Sequence, residues 1–186
     1  MNEEFRQKLI DLYKILIARS DITAAMDACD LMMREVKDFY EDYKHGKYTP
    51  ILHAIIICYA RPFTNNKPFG PLDKRWGEFN DQRHKRLHDD LITFRHKMIA
   101  HSDFSVRKVT IYPKNTEDLM KMKFADVNVV VSTKAVSLEY ITEVRGLCFE
   151  LGCRLNVEAN IKLEDLFGHE SVPAVPIDLG EILGLF

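Results

Sequence analysis

From Phe94 to Asp103 the chain reads Phe-Arg-His-Lys-Met-Ile-Ala-His-Ser-Asp, which places Arg95, His96 and His101 on one short stretch. A histidine moves a proton in either direction near neutral pH, and a guanidinium grips a phosphate through two parallel N–H···O bonds. Those types suit chemistry at a phosphoester, with His101 transferring protons and Arg95 holding the phosphate and offsetting charge in the transition state. His96 would orient the substrate or act as a second proton-transfer group. A purely structural role stays open, because Arg95, His96, Lys97 and His101 also complement the negative end of a helix.

Other chemistry has weaker support. The chain lacks the G-x-x-x-x-G-K-[ST], G-x-G-x-x-G and G-x-S-x-G patterns, which argues against phosphate-loop, dinucleotide and hydrolase-elbow sites. His84 and His88 stand four apart, a spacing able to hold a metal, but Lys85 and Arg86 beside them would repel a cation. A solvated basic face with an Arg86–Asp90 pair is the better reading, and no metal or cofactor is expected. Residues 61–108 hold 11 Lys and Arg against 6 Asp and Glu, whereas residues 139–186 hold 3 against 9. The basic stretch suits an anionic ligand, and Lys74, Arg75, Lys85 and Lys97 are the candidate RNA contacts. The same charges would also suit a plain solvated surface.

The elements that must position these groups follow from hydrophobic period. At 186 residues, 46% apolar and 29% charged, the chain is one domain able to bury a core. A first helix is predicted over 3–19. Ser20 is the expected N-cap of a second, whose stripe runs from Ile22 to Tyr43 and stops at His45-Gly46. Thr49-Pro50 opens a third, nearly all-apolar helix that should lie at the centre. Residues 61–80, with three prolines, read as a long loop. Its Phe63, Phe69, Trp76 and Phe79 would either stack bases or pin the loop to the core.

A fourth helix is predicted over 81–102 with the apolar stripe Leu87, Leu91, Phe94 and Met98. On an ideal helix Arg95 and His101 flank that stripe about 120° apart. Either a frayed or tightened last turn, or a second copy packed stripe to stripe, would bring them together. Val109, Ile111 and 127–131 read as two paired strands, with a capped helical turn at 116–120 between them. A last helix covers 134–158. The net charge of −2, the absence of a run long enough to span a bilayer, the acidic N-terminus and four cysteines without C-x-x-C spacing suggest a cytoplasmic chain with reduced thiols.

The segment Arg95-His96-Lys97-Met98-Ile99-Ala100-His101 resembles the R-x(4–6)-H signature of the HEPN superfamily, compact helical proteins of prokaryotic toxin and abortive-infection systems. Five residues separate its arginine from its histidine, and Ala100 and Ser102-Asp103 also look like that group. The resemblance implies a mainly α, HEPN-like helical bundle, to which the strands read above add a small two-stranded β insertion after the fourth helix, outside the common core. It would fill residues 1–167, with the insertion at 105–132 and a C-terminal tail over 168–186. It further implies a homodimer with a shared cleft. The activity implied is metal-independent endoribonuclease cleavage, leaving 2′,3′-cyclic phosphate and 5′-hydroxyl ends, in toxin or phage-defence settings with an antitoxin or defence-system partner. The chain departs from one branch of that group: Asp103 stands where a modifiable tyrosine would follow the histidine by two. A non-catalytic RNA- or nucleotide-binding relative and a protein-interaction module are the alternatives.

Overall fold

The structure, a computed structural model, describes residues 2–36, 48–65, 70–100, 107–113, 127–133, 136–168 and 178–184, the backbone alone at 98–100, 107–113 and 127–133. Its longest element is α1, Glu3–Glu35, capped by the Asn2 side chain, which accepts from the Phe5 amide at 2.8 Å. The expected break at Ser20 is absent. No glycine or proline interrupts 3–35, and the buried stripe Leu9, Leu12, Ile15, Ala18, Ile22, Ala25, Cys29 and Met32 passes Ser20 without losing phase. Asp21 lies buried on this stripe, and Arg61 reaches it at 2.6 Å. Burial nonetheless holds the Asp21 carboxyl above the ordinary carboxylate range. The helix ends at Glu35, so the Tyr40 and Tyr43 end of the expected stripe lies outside the described residues.

The remaining helices wrap α1. Helix α2, Tyr48–Ala60, has no exposed residue between 51 and 60, as its apolar run implied. Helix α3, Gln82–Phe94, is capped by Asp81, which accepts from the Arg83 amide at 2.7 Å. Helix α4, Leu138–Phe167, is capped by Ser137 and runs well past the expected end near 158. Beyond Ala159 its buried face fades, and ion pairs to α1 continue the contact: Lys8 to Asp165 at 3.0 Å and Lys162 to Asp11 at 4.0 Å. Gly168, at φ 70, then stops it in a conformation that side chains with a Cβ disfavour. In the tail a single turn, α5, Leu179–Ile182, is capped by Asp178 and touches α1, and Leu183 just after it is buried. No helix among the described residues is long and apolar enough to cross a membrane.

The expected fold class, a mainly α bundle with a two-stranded β insertion after its fourth helix, is corrected. Among the described residues the helix bearing Arg95 is the third, because α1 runs through the expected break at Ser20. Among the residues whose side chains are described, the packed body is helical: its core positions lie on α1 to α4, at their ends, or on the 61–80 segment. Arg107–Pro113 and Val127–Thr133 run antiparallel, Arg107 opposite Thr133. The helical turn expected at 116–120 lies outside the described residues.

The 61–80 segment is tied down by its aromatics. Trp76 and Phe79 are buried and Phe63 packs on the core, which is the pinning role. Phe69 lies outside the described residues. Two short 3-10 turns, Arg61–Phe63 and Lys74–Gly77, complete the path. At Gly77 a Cβ would lie 2.7 Å from Nε2 of His88, a ring itself enclosed by Tyr59, Phe63 and Phe79. Gly77→Ala should therefore lower stability by about 1–3 kcal/mol in urea denaturation. Unchanged stability would mean that the His88 ring has room to shift.

Candidate functional site

Helix α3 carries the motif, and its grip on the bundle decides where the motif sits. Leu87 and Leu91 are buried inside the chain and Phe94 packs on the same core. The expected two-fold seam is thus overturned at these residues, because α2 and α4 already cover it. The Met98 side chain is outside the described residues. One turn before Leu91, His88 is buried with Nδ1 2.9 Å from the Tyr59 hydroxyl. Its ring lies edge-on to Phe63, centroids 4.6 Å apart. Burial, aided by the nearby Lys85 ammonium, depresses its pKa to about 4, so it is neutral near pH 7.

His84 faces another way: its Nδ1 lies 2.5 Å from the Glu150 carboxylate on α4. The two imidazoles are therefore committed to different partners, Tyr59 and Glu150. Among the described residues no group of three metal-ligand side chains converges. The i, i+4 pair on this helix is Lys85 to Asp89 at 2.5 Å, one residue before the expected Arg86–Asp90 pair. The thiols are distributed as two buried, Cys29 and Cys148, one half-buried, Cys58, and one exposed, Cys153.

At Arg95 the winding changes. Residues Arg95–Ala100 form a π-helical turn, wider than the α-helix preceding it. The tightened turn that would have drawn Arg95 towards His101 is not what forms. Arg95 is half-buried at the junction, its amide donating to the carbonyls of Ile92 and Leu91, whereas His96 and Lys97 are exposed. His101 lies outside the described residues.

The surroundings of this turn follow from helix direction. His84 meets Glu150, and Asp90 lies near enough to Tyr140 to raise its pKa alongside burial, so α3 and α4 run antiparallel. The π turn touches α2, and the Tyr48 hydroxyl at the start of α2 accepts from the Val136 amide at 2.6 Å and donates to the Val136 carbonyl at 3.2 Å. The motif turn therefore shares one end of the bundle with the first residues of α2 and α4. Helix N-termini carry positive partial charge, which favours an anion beside Arg95, His96 and Lys97.

The other candidate RNA contacts are elsewhere. Arg75 pairs with Glu158 of α4 at 3.0 Å, Lys74 beside it is exposed, and the Lys85 ammonium is held by Asp89. From His84, level with Glu150, to Arg95 the axis advances about 16 Å, and Arg75 lies further still towards the opposite end. Lys97 is the one basic candidate beside Arg95; Lys74 and Arg75 form a separate cluster.

Sequence reasoning missed Arg154. Its guanidinium donates to the carbonyls of Glu78 and Arg75, both at 2.9 Å, and lies 5.4 Å from the Trp76 ring centre and 5.3 Å from that of Phe79. It fastens the 74–79 segment to α4. A contact between residues so far apart in sequence leaves no local pattern to read.

Comparison with family models, with curated proteins and with solved structures gives no match.

The buried His88 gives a signed pH dependence. Its folded pKa lies below the ordinary value, so the unfolded chain binds the extra proton. Stability from this group is complete above about pH 6.5 and is lost as pH falls towards 4, by about 2 kcal/mol at pH 5. Urea denaturation at pH 7 and pH 5 should show that loss in the wild type and not in His88→Gln. An equal loss in both would refer it to other groups.

Proposed function

We propose that the chain is a metal-independent endoribonuclease acting through Arg95 and His101. The observation that carries this reading is the π turn over Arg95–Ala100. Helix α3 keeps α-helical winding for all 13 residues from Gln82 to Phe94 and abandons it at the motif arginine. π turns are rare and occur frequently at functional sites. The positive ends of α2 and α4, with exposed His96 and Lys97, support phosphate binding at the same place.

In this reading Arg95 holds the scissile phosphate and offsets its charge in the transition state. His101 takes the 2′-hydroxyl proton or returns one to the departing 5′-oxygen. The 2′-oxygen attacks phosphorus and the bond to the 5′-oxygen breaks, which leaves a 2′,3′-cyclic phosphate and a 5′-hydroxyl. His96 orients the substrate. The resemblance to HEPN proteins adds a cytoplasmic toxin or phage-defence setting, with an antitoxin or defence-system partner. A homodimer remains part of the proposal, but through a surface other than Leu87 and Leu91.

Cleavage assays on the full chain test this. His101→Ala should lose activity by at least about 10²-fold, and Arg95→Ala should fall nearly as far. Arg95→Lys should recover part, since an ammonium cannot reproduce the two-bond grip. His96→Asn should stay active, and EDTA should change nothing. Full activity in His101→Ala, inhibition by EDTA, or RNA binding without cleavage would overturn the mechanism.

A further inference from the structure

A groove of about 420 Å³ lies between the Lys74–Gly77 turn and α4, lined by Arg75, Trp76, Cys153, Arg154, Val157 and Glu158. It lies towards the opposite end of α3 and α4 from Arg95, and neither Arg95 nor His96 lines it. Trp76 is buried, so its ring is not itself an open platform. The platform is Arg75. Its guanidinium carbon stands 5.3 Å from the Trp76 ring centre and Nη2 is 3.0 Å from Glu158 Oε1, yet the side chain is 58% exposed. A guanidinium backed by an indole and held by a carboxylate has lost much of its freedom before any ligand arrives, and such planes stack nucleobases.

The remaining lining narrows the ligand class. Val157 and Cys153 give an apolar wall for the edge of a ring. The Glu158 carboxylate, part-exposed and flanked by Arg75 and Lys162, accepts N–H groups and repels an anionic ring. Exposed Lys74, next to Arg75, adds positive charge for a phosphate. A flat neutral ring with an amino edge and an attached phosphate answers all of these, and the groove has room for two fused rings. We propose that this groove binds the purine base of a nucleotide, stacked on Arg75 with its amino edge towards Glu158. The same chemistry is met by a free purine nucleotide and by a purine within an RNA strand. Arg154 is the positioning residue, since it holds the carbonyls of Arg75 and Glu78 in place.

The chain has a single tryptophan, so its fluorescence reports this groove. The full chain should be titrated with AMP and UMP, then with adenylate and uridylate pentamers, and the affinities checked by equilibrium dialysis. AMP should give a saturable change, with UMP weaker by about fivefold. Arg75→Ala and Arg75→Lys should each weaken AMP by about tenfold by dialysis at unchanged melting temperature, because the lysine keeps the charge and loses the plane. A pentamer binding far more tightly than AMP assigns the groove to an RNA strand, and equal affinity assigns it to free nucleotide. Absence of saturable adenylate binding, undiminished binding by Arg75→Ala, or equal binding of UMP overturns the proposal. Loss of RNA cleavage in Arg95→Ala has no bearing on any of these outcomes.

Discussion

The imidazole of His88 sits where α2, α3 and the 70–80 segment meet, and the placement of everything further along α3 follows from how it is held. Tyr59 fixes one ring nitrogen, Phe63 and Phe79 close on the ring, and Gly77 leaves only enough space for the other nitrogen. A neutral imidazole can bear this burial, whereas a charged one would face desolvation. With Leu87 and Leu91 on either side of it in sequence and both buried, the body of α3 cannot rotate about its axis without breaking several contacts together. The motif turn is then the first part of the helix that is free to leave α-helical geometry.

That constraint explains why one helix carries two unlike regions. Its first turns meet α4 through His84 and Glu150, near the segment that Arg154 fastens. Its end joins the starts of α2 and α4, whose backbone amides favour negative charge. The basic residues of 61–108 look like one field in the sequence, but the fold parts Lys74 and Arg75 from Arg95 and Lys97. Arg75 and Lys85 are each held by a carboxylate, so their charge is partly offset before any ligand approaches. The charge near Arg95 is more open, because His96 and Lys97 are exposed.

Much of the helical body was legible from period alone. The stripe from Leu87 to Phe94 marked the buried face of α3, and the run from Ile51 to Ala60 marked a helix with no exposed residue, although the central place belongs to α1. Ser20 misled because a residue that caps helices well is also tolerated inside one when the apolar stripe continues past it. The end of α4 was misplaced because charge pairs with α1, rather than apolar period, carry its last turns. The Leu87–Leu91 stripe reads equally as a seam for a second copy, because a narrow apolar stripe looks alike whether its cover is another chain or another helix. Arg95, His96 and Lys97 could be named from type and spacing. The π winding could not, since it depends on how α3 is gripped upstream.

The most direct test of the account is the chemistry of the RNA ends. Full-length protein should be incubated with a short single-stranded RNA in EDTA, and the products identified by mass spectrometry. A matched substrate should carry 2′-deoxy sugars at the cleavage positions. The account predicts 2′,3′-cyclic phosphate and 5′-hydroxyl ends from the RNA and no cut at the deoxy positions, because attack needs the 2′-oxygen. Ends carrying a 5′-phosphate, or cleavage of the deoxy substrate at the same positions, would contradict it.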